Sequence, residues 1–499
     1  MRRTLLSLAL AVLSALLLIL SVPKFDIAVL ATVALVPLLV TVAREPRHLR
    51  RFLLGWSCGF VYWFGVCYWI QFVLAFHGNM GEVAGWAVFF LFALAKGLHF
   101  AVFGVLAGLI MNQPWALPGV AALWTGIERT NGTLGFAWFT LGNAGIDMGI
   151  PLRIVPFTGV YGISFAFAMF SAAIAVSVIR RARWELVWLV LPLSIYLLPA
   201  LPRYQRGAST AVVVQPNISE TEQWTQARYD DLVHRMTLAS LRGALTPGQP
   251  KPDLIAWPEA PAPFYYEENA TFRDTVNTLA RSTRTPIVIG NVTRTANGAP
   301  LNSATTVSAE GQPVSRYDKI YLVPFGEFIP PFFGFVNRIS SETGDFTPGS
   351  QVVVTPAGGH RFSTFICYES AFPHLVRRFV NNGAEVLLNI SNDGYFGHLA
   401  GREQHLKIAR MRAVENGRWV IRATNDGISA AIDPAGRITQ TLPDHTEAYG
   451  RFRFNYESAV TPYTRLGDWF AWGCLAFGLV AAGVGFRVSR RRVARPKPQ

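Results

Sequence analysis

The long apolar runs of this chain lie at its two ends, and nothing comparable occurs between residues 205 and 462. A helix that crosses a bilayer needs ~20 mostly apolar residues. The sequence predicts such spans at 4–22, 26–43, 52–76, 84–111, 114–130, 155–179, 184–201 and 466–486. The fifth is interrupted by Pro118 and Glu128. Charged residues make up 15% of the chain and hydrophobic ones 51%. Soluble globular proteins carry roughly 25% charged residues, and disordered chains are poor in hydrophobic ones. The composition excludes a disordered chain and disfavours a fully soluble one, and a disulfide scaffold is excluded because 499 residues contain only 4 cysteines.

The formal charge of +14 comes from 45 basic against 31 acidic residues. Their placement favours a membrane surface over nucleic acid as the cause. Arg2 and Arg3 precede the first span, and Arg44, Arg47, Arg50 and Arg51 lie between the second and third. Arg180, Arg181 and Arg183 follow the sixth, and Arg487, Arg490, Arg491, Arg492, Arg495 and Lys497 follow the last. With eight spans, all four clusters fall on one side. Positive flanks stay cytoplasmic, so both termini are expected inside and the 205–462 region outside. The first run also has the form of a signal peptide. No small-residue cleavage site precedes the second run, so a retained helix is expected. The reading is a membrane domain of seven spans over 1–204, a catalytic domain over 205–462, and a last span with a basic tail over 463–499.

Within 205–462, short β-rich runs alternate with turns and helical stretches. Strands are expected at Ala211–Gln215, Asp253–Trp257, Pro286–Val292, Ser303–Ala309, Arg361–Cys367, Glu385–Ile390, Trp419–Ala423 and Ile428–Ile432, with a helix at Gln404–Asn416. This alternation predicts an α/β layered domain. Residues 246–252 form a proline-rich loop. Several polar residues stand just past strand ends, where such domains place their sites.

Cys58, Cys67 and Cys474 lie in apolar runs and read as small buried hydrophobes. Cys367 is the lone cysteine of the middle region and ends a strand in Phe365-Ile-Cys-Tyr-Glu-Ser370. A nucleophile at a strand-to-turn junction can place an oxyanion near backbone N–H groups. A thiol needs a base or a nearby cation to act. The histidines of the region, His234, His360, His374, His398, His405 and His445, stand in no papain-like context, and there is no HExxH or CxxC motif. Glu259, in Trp257-Pro-Glu-Ala-Pro261, follows a strand. Lys319 sits among aromatic and apolar residues in the segment from Arg316 to Phe328. Surface acid and snorkelling lysine are the ordinary readings of such positions; a carboxylate base and a fixed cation are the functional ones.

Glu259, Lys319 and Cys367, in that order and in those segments, with Asn392-Asp-Gly-Tyr-Phe396 downstream, resemble the Glu-Lys-Cys triad of the nitrilase (carbon–nitrogen hydrolase) superfamily. With the flanking spans, the whole chain resembles bacterial apolipoprotein N-acyltransferases. The resemblance implies an αββα sandwich joined to a polytopic helical membrane domain, in the bacterial inner membrane with the catalytic domain on the periplasmic side. It implies acyl transfer from a phospholipid, typically phosphatidylethanolamine, through a cysteine thioester to the N-terminal amine of a diacylglyceryl apolipoprotein. No metal or organic cofactor is implied. Cys367 is then the nucleophile, Glu259 the general base and Lys319 the oxyanion partner. Glu327, Tyr368 and Glu369 support them. Trp224, Trp138, Lys96 and His99 are further candidates for substrate contact; the two cationic groups either meet a headgroup or snorkel. The apolar stretch from Phe325 to Phe335, with Phe332 and Phe333, is a candidate lid. Two other readings share the residues: a membrane-tethered amidase that passes the acyl group to water, and a lipoprotein-binding scaffold in which the triad is dispensable.

Overall fold

A computed structural model describes residues 2–133, 136–180, 183–324, 326–328 and 346–494. The chain divides into two units. The first comprises residues 1–71, 86–201 and 466–499, and the second comprises 72–85 and 202–465. The stretch 72–85 packs with the second unit, although the sequence reading placed all of 1–204 in the membrane domain.

The first unit is helical. Four of its described helices are long and apolar enough to cross a bilayer: Arg3–Leu20, Gly81–Ile110, Tyr161–Arg180 and Trp469–Arg491. Leu5, Leu6, Leu91, Val102, Val178, Phe477 and Val480 are exposed on them. Such surfaces suit lipid, where exposed apolar side chains cost nothing. The expected span 52–76 is a bent pair instead. The helix His48–Val66 breaks before Trp69–His77 at an angle of 57°. The other predicted runs also fall short of straight spans. Ala28–Arg44 is apolar but shorter than a span. Residues 184–201 form successive short pieces, Arg183–Leu189, Val190–Leu193 and Ser194–Leu197. Pro192 supplies no backbone donor there. Gly55 lets the helix Gly81–Ile110 approach closely, because a Cβ there would lie 2.3 Å from the Phe100 carbonyl oxygen. In Ala116–Thr133, Arg129 forms a buried ion pair with Asp468, just before the last helix.

The second unit is a sandwich of two six-stranded sheets. The strands are β1 Ser209–Gln215, β2 Leu254–Ala256, β3 Ile287–Arg294, β4 Pro300–Val307, β5 Pro313–Asp318 and β6 Thr355–Ala357. There follow β7 His360–Ile366, β8 Val386–Ser391, β9 Val420–Thr424, β10 Ala430–Ile432, β11 Ile438–Thr441 and β12 Ala448–Phe454. One sheet runs β12-β1-β2-β3-β4-β5 and the other β11-β10-β9-β8-β7-β6. In each, three central strands are parallel: β1, β2 and β3 in the first, β7, β8 and β9 in the second. Antiparallel strands flank them.

The parallel strands read as unbroken apolar runs because both of their faces are covered. Val386–Ser391 is buried at every residue. The helices Gln226–Ala244 and Ala270–Thr283 pack on the first sheet around Trp257, Phe264 and Phe272, which are buried. Trp257 Nε1 donates to Ser240 Oγ at 2.9 Å, so the indole enters the core with its polar atom satisfied. The first helix is capped by Thr225 and the second by Asn269, each accepting from a first-turn N–H. The helices Pro373–Asn381 and Gly401–Asn416 belong to the second sheet; nearly every residue of the latter is buried.

Candidate active site

The candidate residues leave from the C-terminal ends of strands, central parallel ones for the acid and the cysteine and the antiparallel edge strand β5 for the lysine. Glu259 stands three residues past β2, Lys319 directly follows β5, Cys367 follows β7, and Asn392 and Asp393 follow β8. Gly290 on β3 makes room for the acid. A Cβ there would lie 2.7 Å from the Glu259 Cα and 2.3 Å from the Pro258 carbonyl oxygen.

Lys319 is 1% exposed and lies between two carboxylates. Its Nζ is 3.0 Å from Glu259 Oε1 and 2.9 Å from Glu327 Oε1. The Asn302 amide bridges the same two oxygens, at 2.8 and 2.6 Å. The second oxygen of each acid takes a backbone N–H, from Asn392 to Glu259 at 3.0 Å and from Val323 to Glu327 at 2.8 Å. Burial alone would lower the Lys319 pKa; the charges of Glu259 and Glu327 outweigh it and hold the ammonium well above its usual range.

Cys367 has a left-handed backbone, φ +50°. Burial pushes its thiol up, the Glu259 charge adds to this, and Lys319 opposes it. A sulfur in this setting favours the thiol over the thiolate.

Glu369 joins the Cys367 segment to the lysine segment. Its Oε1 accepts from the Tyr317 hydroxyl at 2.6 Å and from the Ile320 and Tyr321 N–H groups at 2.7 and 3.2 Å. Its Oε2 accepts from the Ile366 N–H at 2.7 Å. Burial pushes this carboxyl up to about 7, while its backbone and Tyr317 donors pull the other way. Tyr368 is buried edge-on against Phe372, which stacks on Tyr321 at 3.9 Å between ring centres. Both residues after Cys367 therefore brace the segment that carries Lys319.

The sequence reading passed over Asn302, Tyr317, His405, Arg422 and Glu220. Asn302 and Tyr317 lie in strands where alternation marks facing but not partners. His405 was weighed only as a papain-like base. Glu220 lies beside Asn425, whose Nδ2 it accepts at 3.2 Å, and burial raises its carboxyl to about 8. Tyr395, in the Asn392–Phe396 segment, meets the His77 ring edge-on at 5.0 Å.

The remaining described candidates sit within their own units. Trp224 is half-buried against the core around Trp257. In the first unit, Trp138 is buried against Trp69 and Phe136. Lys96 Nζ donates to Asn131 Oδ1 and to the Phe136 carbonyl at 3.1 and 3.0 Å, so it is held inside the unit. His99 lines a small cavity of about 20 Å³ with Tyr62, Trp63, Trp124 and Glu128. Phe325, Phe332, Phe333 and Phe335 lie outside the described residues.

Asp393 is fully buried and pairs with Arg422 and His405. Burial alone would raise its carboxyl, but the Arg422 and His405 charges hold it far below the usual range. A depressed carboxylate stabilises the fold above its unfolded pKa, about 3.9, and that contribution is lost as pH falls towards the folded value. Asp393→Asn is expected to cost about 3–5 kcal/mol at neutral pH, since it leaves a buried guanidinium unpaired. It should also flatten the acid limb of the stability curve, as read by thermal unfolding across pH.

Residues 210–454 match the family described as Carbon-nitrogen hydrolase. Residues 14–173 match the Apolipoprotein N-acyltransferase N-terminal domain. The chain is 33% identical to the apolipoprotein N-acyltransferase of Geobacter metallireducens, covering 96% of this chain and 95% of that protein. It is 30% identical to that of Photobacterium profundum over 80% of each chain, and 31% identical to that of Vibrio cholerae over 86% of each. With a membrane half and a catalytic half both matched in one chain, this protein belongs to the apolipoprotein N-acyltransferase family.

Proposed function

We propose that the protein moves an acyl chain from a membrane phospholipid to the N-terminal amine of a diacylglyceryl-cysteine lipoprotein, through a thioester on Cys367. The observation that carries this reading is the buried Lys319 held between Glu259 and Glu327, among strand ends that also carry a buried free cysteine.

Glu259 takes the thiol proton as sulfur attacks the phospholipid ester carbonyl. Lys319 remains an ammonium and stabilises the negative oxygen of the tetrahedral intermediate. When the intermediate collapses, the C–O bond breaks, Glu259 returns the proton to the leaving alkoxide, and a lysophospholipid departs. The lipoprotein amine then attacks the thioester and the C–S bond breaks. Glu259 receives the amine proton and passes it to the thiolate, which restores the resting thiol and leaves an amide. Asn302 and the Asn392 N–H hold Glu259 in place throughout. Glu327 fixes Lys319, and Tyr368 and Glu369 hold the lysine segment against the nucleophile.

Phosphatidylethanolamine is the proposed donor, and the bacterial inner membrane the proposed site. The arginine clusters support a periplasmic catalytic unit. Trp224, Trp138, Lys96 and His99 are retained as proposed contacts of the lipid substrates.

Intact-protein mass spectrometry tests the reading. After incubation with phosphatidylethanolamine alone, the protein is expected to gain one acyl mass that hydroxylamine removes. A diacylglyceryl-cysteine peptide should then discharge it as an N-acyl peptide. Discharge to free fatty acid in the presence of that peptide would make the protein a hydrolase. Absence of any mass gain on folded, lipid-binding protein would overturn the thioester.

A further inference from the structure

The mechanism above leaves unused a fully buried histidine beside the nucleophile. His405, on the helix Gly401–Asn416, is 0% exposed. Its Nε2 lies 3.0 Å from the Cys367 carbonyl oxygen and its Nδ1 2.9 Å from Asp393 Oδ1. A ring nitrogen of His405, an Asp393 oxygen and the Cys367 sulfur all lie within 4.8 Å of one another.

Three roles are conceivable for such a trio. A general base for the thiol would need a ring nitrogen free to receive a proton. Here Nε2 faces a carbonyl, which can only accept, and Nδ1 faces a carboxylate. Nε2 therefore donates and has no lone pair to offer the thiol proton, and Nδ1 is engaged between the carboxylate and an Arg422 N–H. A metal site would need the carboxylate and the imidazole turned to a common cation. That place is already taken by Arg422, whose Nη2 bonds Asp393 Oδ2 and lies 3.0 Å from His405 Nδ1. Arg422 is anchored in turn through Nη1 to Asn389, and Ser391 Oγ donates to Asp393 at 2.8 Å. Among the groups that meet the ring, Asp393, Arg422 and the Cys367 carbonyl fix its plane, and Phe396 meets it edge-on.

The third role follows from the backbone at Cys367. A left-handed conformation costs an L-residue about 1–2 kcal/mol and persists only where the surroundings over-determine it. The atom that His405 grips, the Cys367 carbonyl oxygen, turns with that conformation. We propose that His405 is a positioning residue for the nucleophile: its Nε2–H bond holds the Cys367 carbonyl, and so keeps the left-handed turn that presents the sulfur to Glu259 and Lys319. Asp393 and Arg422 hold the ring in that role. The proposal rests on Cys367 being the nucleophile of the reaction proposed above.

The test compares His405→Gln with His405→Asn in the full-length protein in lipid nanodiscs. A glutamine side-chain nitrogen reaches the position of Nε2, whereas an asparagine nitrogen reaches only that of Nδ1. Both variants lose the imidazole, so their difference reports the carbonyl bond. The readout is the second-order rate of Cys367 alkylation by iodoacetamide, mapped by peptide mass spectrometry. His405→Gln should stay near wild type, and His405→Asn should fall about tenfold, the size of the left-handed penalty. Equal rates in the two variants, whether both unchanged or both slowed, would overturn the proposal. Acyl transfer from phosphatidylethanolamine should follow the same order. If alkylation separates the variants while even wild type takes no acyl group, the donor assignment fails and the positioning role stands. A measurement without substitution guards against misfolding. In protein labelled with ¹⁵N-histidine, a protonated His405 Nε2 whose N–H is protected from exchange supports the bond. An unprotonated Nε2 refutes it.

Discussion

Cys367→Ala is expected to carry no acyl group after incubation with phospholipid and to form no N-acyl peptide. The sulfur is the one atom in the cluster able to form the covalent intermediate, and neither Glu259 nor Lys319 substitutes for it. Cys367→Ser tests the same step more finely. A hydroxyl is far harder to deprotonate than a thiol, so a carboxylate base will activate it poorly. Any oxygen ester it does form is a weaker acyl donor to an amine than a thioester. Transfer by this variant should therefore fall by several orders of magnitude, beyond the ~10²–10⁴-fold that a general base alone supplies. The backbone adds a prediction about stability. At φ +50° a Cβ is penalised, so Cys367→Gly should be more stable than Cys367→Ala by about 1 kcal/mol, the reverse of the usual order. Thermal unfolding of the two variants decides it, and an Ala variant at least as stable as Gly would refute the strained turn.

Lys319→Met is expected to abolish acyl-enzyme formation and to destabilise the catalytic unit by about 3–5 kcal/mol, as breaking a buried ion pair does. The loss has a definite cause. Glu259 and Glu327 both aim an oxygen at Lys319 Nζ, and the Asn302 amide alone would remain between them. Two buried carboxylates that close cannot both stay ionised at modest cost. Adding Glu327→Gln to Lys319→Met should therefore recover part of the stability, and none of the transfer. The two substitutions should be strongly non-additive, since they share partners. Additive losses in denaturant unfolding would show that the three groups do not act as a unit.

Much of this site was legible in the sequence, and what was missed shares a physical cause. Glu259 and Cys367 each follow an apolar strand, and a residue just past a parallel strand is a fair candidate in any α/β layer; Asp393 shares that kind of position after β8, and Lys319 was legible from its aromatic and apolar setting instead. Asn302, Tyr317 and Arg422 carry no such signal. They act through partners far along the chain: Tyr317 reaches Glu369 and Arg422 reaches Asp393, and no local pattern encodes that reach. The membrane half shows the opposite failure. Hydropathy marked the apolar stretches at 26–43, 52–76 and 184–201, yet it does not report where backbone donors run out or where a helix bends. The break between Val66 and Trp69 and the short turns around Pro192 follow from chain geometry. The strand pairing also repeats, one antiparallel neighbour, three parallel strands and two antiparallel ones in each sheet, although the two halves share no sequence repeat.

The pairing of β1 with β12 has a consequence for how such a chain is assembled. Ser209 stands opposite Phe454 in that ladder, so the sandwich takes in the polypeptide and gives it back at neighbouring points, about 5 Å apart as strand partners are. A domain whose ends meet in this way behaves as a cassette. Its strands occupy one continuous stretch of chain, 209–454, and need no long connector to bring its two ends together.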